Sequence, residues 1–265
     1  MAIFLSILKA ILVLGTMGAV FGALLAVAAN FFSVKQDKRL PLVQEALPGV
    51  NCGGCGYTGC AAYAKAIVND GAKTNLCPVG GVKVAKAVAE IMGVEAENVE
   101  KKRAVVMCSG NNSVASTKYE YLGADDCASV SKLGGGIMEC QYGCVGLGSC
   151  VKKCPVNAIE LKDNLAVVDC NKCIGCGICV DACPKHLIKL VPFDSATRVA
   201  CSSKDKGADV RQVCEIGCIG CGICAKNCPS DAIEVSDNLA KINPEKCTGC
   251  GICEEKCPKK VIVKK

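Results

Sequence analysis

Two patterns of polarity divide this chain of 265 residues. The first is a block without charge. From Ala10 to Phe32, AILVLGTMGAVFGALLAVAANFF, 23 residues pass uncharged, where about 20 suffice for a helix to cross a bilayer. Lys35, Lys38 and Arg39 follow it and only Lys9 precedes it, an asymmetry that keeps the rest of the chain on the cytoplasmic side. Gly18 and Gly22 stand at G-x-x-x-G spacing. That spacing suits close approach of another helix, and it is equally ordinary membrane-helix composition. Ala26–Ala28, AVA, resembles a signal-cleavage site, but the apolar run is longer than a signal core. An uncleaved single-pass anchor in the inner (cytoplasmic) membrane is expected.

The second pattern is one of short elements. AAYAKAIVNDG, Ala61–Gly71, predicts a helix ended by glycine, and GVKVAKAVAEIMG, Gly81–Gly93, another with a Val84, Ala85, Val88, Ile91 stripe. Ala104–Met107 predicts a strand leading to Cys108. AIEL…AVVD and AIEV…AKIN predict paired strands around the turns KDN and SDN. Short helices are expected after each Cys-Pro. The segment Cys140–Ile188 aligns with Cys214–Ile262 at a constant offset of 74, so two like domains stand in tandem. The expected fold class is α+β: a transmembrane helix, a small helical cluster domain, then two ferredoxin-like domains. The boundaries are 1–32 for the anchor, 33–44 for a linker and 45–93 for the helical domain. A connecting segment at 94–139 leads to the first ferredoxin-like domain at 140–190, and a connector at 191–213 to the second at 214–265.

Composition changes the picture of what holds these pieces together. There are 25 cysteines, no Trp, five Tyr and five Phe, too few large side chains for an ordinary core. Disulfides, zinc and iron–sulfur clusters are the alternatives. CIGCGICAKNCP, Cys218–Pro229, decides among them: a C-x-x-C-x-x-C-x-x-x-C-P run is the bacterial ferredoxin signature for four-iron clusters. The formal charge of +6 counts cysteines as neutral, whereas ligating thiolates are deprotonated. The lysine excess is therefore not read as nucleic-acid binding, which aromatic–basic interleaving would have to support.

In two-cluster ferredoxins the cysteine before proline ligates the other cluster. The second copy then gives two complete sets, Cys218, Cys221, Cys224 with Cys257, and Cys247, Cys250, Cys253 with Cys228. The first copy gives Cys173, Cys176, Cys179 with Cys154. NCGGCGYTGC and the later Cys77-Pro78 give Cys52, Cys55, Cys60 and Cys77. The fifth set is short of a ligand: Leu147 stands where Cys221 stands in the second copy, leaving Cys144, Cys150 and Cys183. Cys140 is the preferred fourth ligand; Cys127 or Cys201, or a three-iron cluster, are the alternatives. Beyond five clusters, Cys108, Cys127, Cys201 and Cys214 suggest a sixth, with Cys140 and Cys214 exchangeable between the last two sites. Cys108 and Cys201 both follow strand-like runs, AVVMC and TRVAC, and pairing of those strands would bring them together. Cys170 is expected to be a small buried hydrophobe.

A row of five or six one-electron centres is a conductor. No G-x-G-x-x-G fingerprint, P-loop or nucleophile–base pair occurs, so no catalytic residue is expected, and the single histidine, His186, is read as a surface residue. The whole chain resembles the B subunits of the Rnf ion-translocating complexes, through the anchor, the NCGGCGYTGC…CP domain, GCVGLGSCVKKCP with its leucine, and the paired repeat. The resemblance implies that reduced ferredoxin donates electrons, that NAD⁺ is reduced on other subunits, and that Na⁺ or H⁺ is pumped. It also implies that Leu147 is a family trait. Lys226, Lys241, Lys246, Lys256, Lys259, Lys260, Lys264 and Lys265 either steer an acidic donor or form a solvated face. The other classes weighed are a corrinoid-type cluster protein, a system keeping a redox sensor reduced, and a polyferredoxin of a membrane hydrogenase.

Overall fold

The computed structural model describes residues 2–31, 37–98, 101–195 and 197–264. Lys35, Lys265, Phe32 and the start of the linker lie outside the described residues. The chain divides into two compact units, Met1–Leu40 and Pro41–Lys265. Helix α1 (Ala2–Phe31) makes up most of the first. Side chains along it stand open, from Leu12 at 63% to Val27 at 67%. Among the described residues no helix is long and apolar enough to cross a membrane.

Beyond α2 (Arg39–Ala46), helices α3 (Cys60–Asp70) and α4 (Gly81–Met92) form where the sequence predicts them. Gly71 and Gly93 end them in the left-handed conformation, at φ 65° and 69°, which a residue without Cβ adopts freely. Tyr63 of α3, 1% exposed, ties the following loop: its hydroxyl donates to Lys73 O at 2.6 Å and accepts from Leu76 N at 3.1 Å. Cys77 is thereby held next to α3.

Two modules follow. The first contains β1 (Lys102–Val106), α5 (Cys127–Ser131), α6 (Ser149–Lys152), β2 (Ile159–Lys162), β3 (Leu165–Val168), α7 (Ile178–Ala182) and β4 (Ile188–Pro192). The second contains β5 (Thr197–Val199), α8 (Gly207–Val213), α9 (Ile223–Lys226), β6 (Ile233–Ser236), β7 (Leu239–Ile242), α10 (Ile252–Glu255) and β8 (Ile262–Lys264). β2–β3 and β6–β7 are the expected hairpins. Asp163 and Asn164 turn the first at φ 47° and 60°, and Asp237 and Asn238 the second at 52° and 58°, the type I′ pattern that matches strand twist.

Two expectations fail. The strands before Cys108 and Cys201 do not pair with each other. β1 pairs antiparallel with β4 (Ala104↔Leu190), and β5 with β8 (Val199↔Ile262). Each incoming strand completes the open edge of its own module, because β4 and β8 are the equivalent last strands of the repeat. The short helices α6, α7, α9 and α10 precede the Cys-Pro pairs of the modules and do not follow them. After Cys-Pro the chain makes a tight turn instead: Asn157, His186, Asp231 and Lys260 each donate N–H to the carbonyl of the cysteine three residues back, at 3.0–3.4 Å. All four have φ between 46° and 51°, and that left-handed step sends the chain into a strand. Only after Cys77-Pro78 does a helix, α4, follow. His186 is exposed in its turn, as expected.

Candidate metal centres

Sixteen of the thiols gather in four groups of four, each lining one cavity. Cys218, Cys221, Cys224 and Cys257 line one cavity, and Cys154, Cys173, Cys176 and Cys179 another. Both groupings cross between the two runs of a module. The group with the missing ligand is completed differently from the preferred expectation: Cys127, not Cys140, lines the cavity with Cys144, Cys150 and Cys183. Cys140 lies instead with Cys108, Cys201 and Cys214.

The reason lies in the segment between the strand β1 and the repeat. Leu147, standing where the second module has cysteine, packs with Tyr121 and Ile137 around Cys127, Val130 and Val145. That apolar patch seats α5. Asp126 caps α5 by accepting from Ser129 N at 2.8 Å, and the Ser149 hydroxyl accepts from Cys127 N at 2.8 Å while donating to Asp126 at 3.2 Å. Cys127 is thus delivered at the gap by the residue that opened it. No short-range spacing in the sequence encodes this.

Around Cys52, Cys55, Cys60 and Cys77 the fit is local. Asn51 accepts from Cys60 N at 2.8 Å, and Gly80 N donates to Cys77 Sγ at 3.4 Å. Burial pushes the Cys77 thiol up, and the neighbouring Cys52 and Cys55 push it further. Cys253 is raised by burial and by Cys247 and Cys250. Cys228 occupies the position that Cys154 holds in the first copy; desolvation raises its pKa, but donors from Ala232 and Ser230 outweigh it and lower the thiol.

These sites fit a cluster better than a single ion. All the gathered donors are thiols, and among the described residues no three His, Cys, Asp or Glu are placed to hold one metal ion. Tetrahedral zinc at about 2.3 Å from sulfur would draw its thiolates to roughly 3.8 Å of one another. Backbone N–H groups already face the sulfurs: Ala158 to Cys154 at 3.2 Å, Leu187 to Cys183 at 3.4 Å, Ala232 to Cys228 at 3.4 Å. Such donors stabilise thiolate and tune cluster potentials. Where burial outweighs such donors it dominates, and the Cys108, Cys150 and Cys179 thiols are pushed up to about 12.

Comparison with known proteins places this arrangement. Residues 47–79 match a family of Fe-S cluster domains, and residues 137–197, 172–233 and 217–261 match families described as 4Fe-4S dicluster domains. The chain is 47% identical over 242 residues to the B subunit of the Na⁺-translocating ferredoxin:NAD⁺ oxidoreductase complex of Acetobacterium woodii, covering 91% of this chain and 73% of that protein. It is 42% identical over 241 residues to the B subunit of the ion-translocating oxidoreductase complex of Methanosarcina acetivorans, covering 91% of each. To the B subunit of the proton-translocating ferredoxin:NAD⁺ oxidoreductase complex of Clostridium ljungdahlii it is 44% identical, covering 90% of this chain and 84% of that one. The chain belongs to the family of Rnf-complex B subunits.

In this Rnf protein each thiol group lies near the next. A Cβ on Gly54 would meet Cys176 O at 2.6 Å, so the helical domain abuts the loop of the Cys154, Cys173, Cys176, Cys179 group. Burial raises Cys176, and Cys52 adds to it. Burial likewise raises Cys179, with Cys150 of the next group contributing. Cys108 is raised by burial and then by Cys144 and Cys140. Cys218 N donates to Cys201 Sγ at 3.4 Å. Cys218, Cys224 and Cys253 share one core. The group of Cys108, Cys140, Cys201 and Cys214 therefore stands between the two ferredoxin modules and takes ligand candidates from both. Cys170 lines none of these cavities; it is half-buried, and Arg103 Nη1 donates to its sulfur at 2.9 Å. The expected buried hydrophobe is in fact a hydrogen-bond acceptor.

Proposed function

We propose that this chain relays electrons from reduced ferredoxin to the membrane core of a ferredoxin:NAD⁺ oxidoreductase complex that translocates Na⁺ or H⁺. The observation that carries this is the unbroken succession of thiol groups from Cys52 to Cys257, each near the next. Six four-iron clusters would be held, by Cys52, Cys55, Cys60 and Cys77; Cys154, Cys173, Cys176 and Cys179; Cys127, Cys144, Cys150 and Cys183; Cys108, Cys140, Cys201 and Cys214; Cys218, Cys221, Cys224 and Cys257; and Cys228, Cys247, Cys250 and Cys253. Each bound cluster supplies a one-electron step. The chain's own work is to fix the intervals, exclude water from the buried thiolates and aim N–H donors at sulfur.

The donor is read as docking on the last repeat, where Lys256, Lys259 and Lys260 surround the Cys257 turn. The exit is read as the Cys52 to Cys77 domain, next in sequence to the anchor. Support for a single-pass anchor with the modules on the cytoplasmic side comes from the uncharged run Ala10–Phe32, the helix that continues through it to Phe31, and the flanking charges.

Anaerobic iron and sulfide analysis with EPR tests the count. About 24 iron per chain is expected for six four-iron sites, and about 20 would remove one. Deleting residues 2–31 tests the anchor. The shortened chain is expected in the soluble fraction with its iron unchanged; a shortened chain still pelleting with membranes would count against α1 as the anchor.

A further inference from the structure

A cavity of a different kind lies where the connector passes between the modules. It measures about 280 Å³. Arg103, Lys189, Arg198 and Lys241 line it, and among the described residues no carboxylate does. Arg103 is 1% exposed. Its two terminal nitrogens are engaged, Nη1 with Cys170 at 2.9 Å and Nη2 with Ser195 O at 2.6 Å, but its Nε has no partner. Arg198 Nε and Thr197 Oγ1 are also buried without partners, and Thr197 is 5% exposed. Three residues that line the cavity thus carry buried polar atoms without a partner. Orphaned buried groups are rare in native proteins, and each calls for an explanation. The two guanidinia also repel: burial and the Arg103 charge both lower the Arg198 pKa, and Cys170 offsets this only in part. Buried cations without an anion are strongly disfavoured.

We propose that this cavity binds a phosphate group, free or carried on a small molecule, through Arg103, Arg198 and Thr197. The guanidinium is suited to it, being a planar, always-charged donor fork that matches oxyanion geometry. The site has no signature in the sequence, because Arg103 comes from β1 and Arg198 from β5, strands of separate modules. Cys201 lines both this cavity and the one shared with Cys108, Cys140 and Cys214. A bound anion would therefore add negative charge beside the bridging site and make its reduction harder. That consequence rests on the six-cluster reading; the binding does not.

The test titrates inorganic phosphate, and in a second arm glycerol phosphate, into the full-length reconstituted chain in detergent. Calorimetry is run at constant ionic strength. Saturable one-to-one binding is expected, weakened on the order of tenfold by Arg198→Gln and by Thr197→Val. Tighter binding of the ester than of the free ion would assign the small-molecule source, and the reverse the free ion. Arg103 is too buried for its loss to be informative alone, so Arg198→Gln, with its fold checked by circular dichroism, carries the decision. Absence of saturable binding, or binding unchanged in Arg198→Gln, would overturn the site. So would binding that emerges only in Cys170→Ser, since the Cys170 sulfur would then already serve as the anion. In an EPR redox titration phosphate is expected to lower one midpoint potential in the wild type and not in Arg198→Gln; an unmoved potential in the wild type removes the coupling.

Discussion

Leu147 and Cys127 have to be considered together. The first opens a gap in a ligand set, and the second fills it from twenty residues upstream, a distance set by α5 and the apolar patch beneath it. Replacing Cys127 and Cys140 in turn should therefore hit different sites. Cys127→Ser is expected to disturb the site of Cys144, Cys150 and Cys183, and Cys140→Ser the bridging site. Each would lose up to about four iron, or about one if a three-iron cluster survives. EPR of the two variants should show different components missing; the same component missing in both would refute the assignment. Glycine carries a comparable burden. Gly146, at φ +82°, lies where an added Cβ would meet Asn164 O at 2.5 Å, while Gly222, at φ +74°, has nothing within 4 Å. Both alanine variants should lose about 1–2 kcal/mol for the left-handed backbone. Gly146→Ala should lose clearly more, because the β2–β3 turn must shift off the ligand loop. Denaturant unfolding of the two variants makes the comparison.

Elements of four residues, such as α6, α9 and α10, are far below the length at which a helix is stable alone. They are held by what they surround. Cys150, Cys224 and Cys253 sit inside them and are buried, so without clusters these elements pack around neutral thiols. The sign of the pH dependence follows. The folded-state thiols of Cys150 and Cys179 lie near 12, above the ordinary value of 9.0. The folded apo chain therefore holds protons that the unfolded chain releases first. Apo stability is expected to be unaffected below 9.0, and to fall as pH rises from there towards 12. Denaturant midpoints of the cluster-free chain across that window make the check; a midpoint that rises would show that burial does not control these thiols.

At the scale of the molecule, the two modules share no sheet among the described residues; they are joined by the backbone bridge of Val114 and Ser116 to Glu215 and Val213 and by the thiols that meet between them. β1 and β5 each belong to their own module, while Cys108, Cys140, Cys201 and Cys214 converge between them. Lys259 and Lys260 stand in the turn that follows Cys257 in the last module. If they steer an acidic donor, reversing Lys259 and Lys260 to glutamate should slow ferredoxin-dependent reduction by about tenfold at low ionic strength. The effect should fade as salt is raised. A rate indifferent to both the charges and the salt would make these lysines a solvated face.

Local grammar carried much of this protein. The Cys-x-x-Cys runs, the offset of 74, the helices ended by Gly71 and Gly93, and the hairpins at KDN and SDN were legible because each is decided by residues a few positions apart. The family resemblance was legible for the same reason. The partner of Cys144, Cys150 and Cys183, the company of Cys140, the pairing of β1 and β5, and the buried Arg103 were not. Each depends on which surfaces meet after the chain has folded back over tens of residues, and a thiol or a guanidinium looks the same in the sequence whichever cavity it lines. Ligand type was written in the chain; ligand grouping was left to packing.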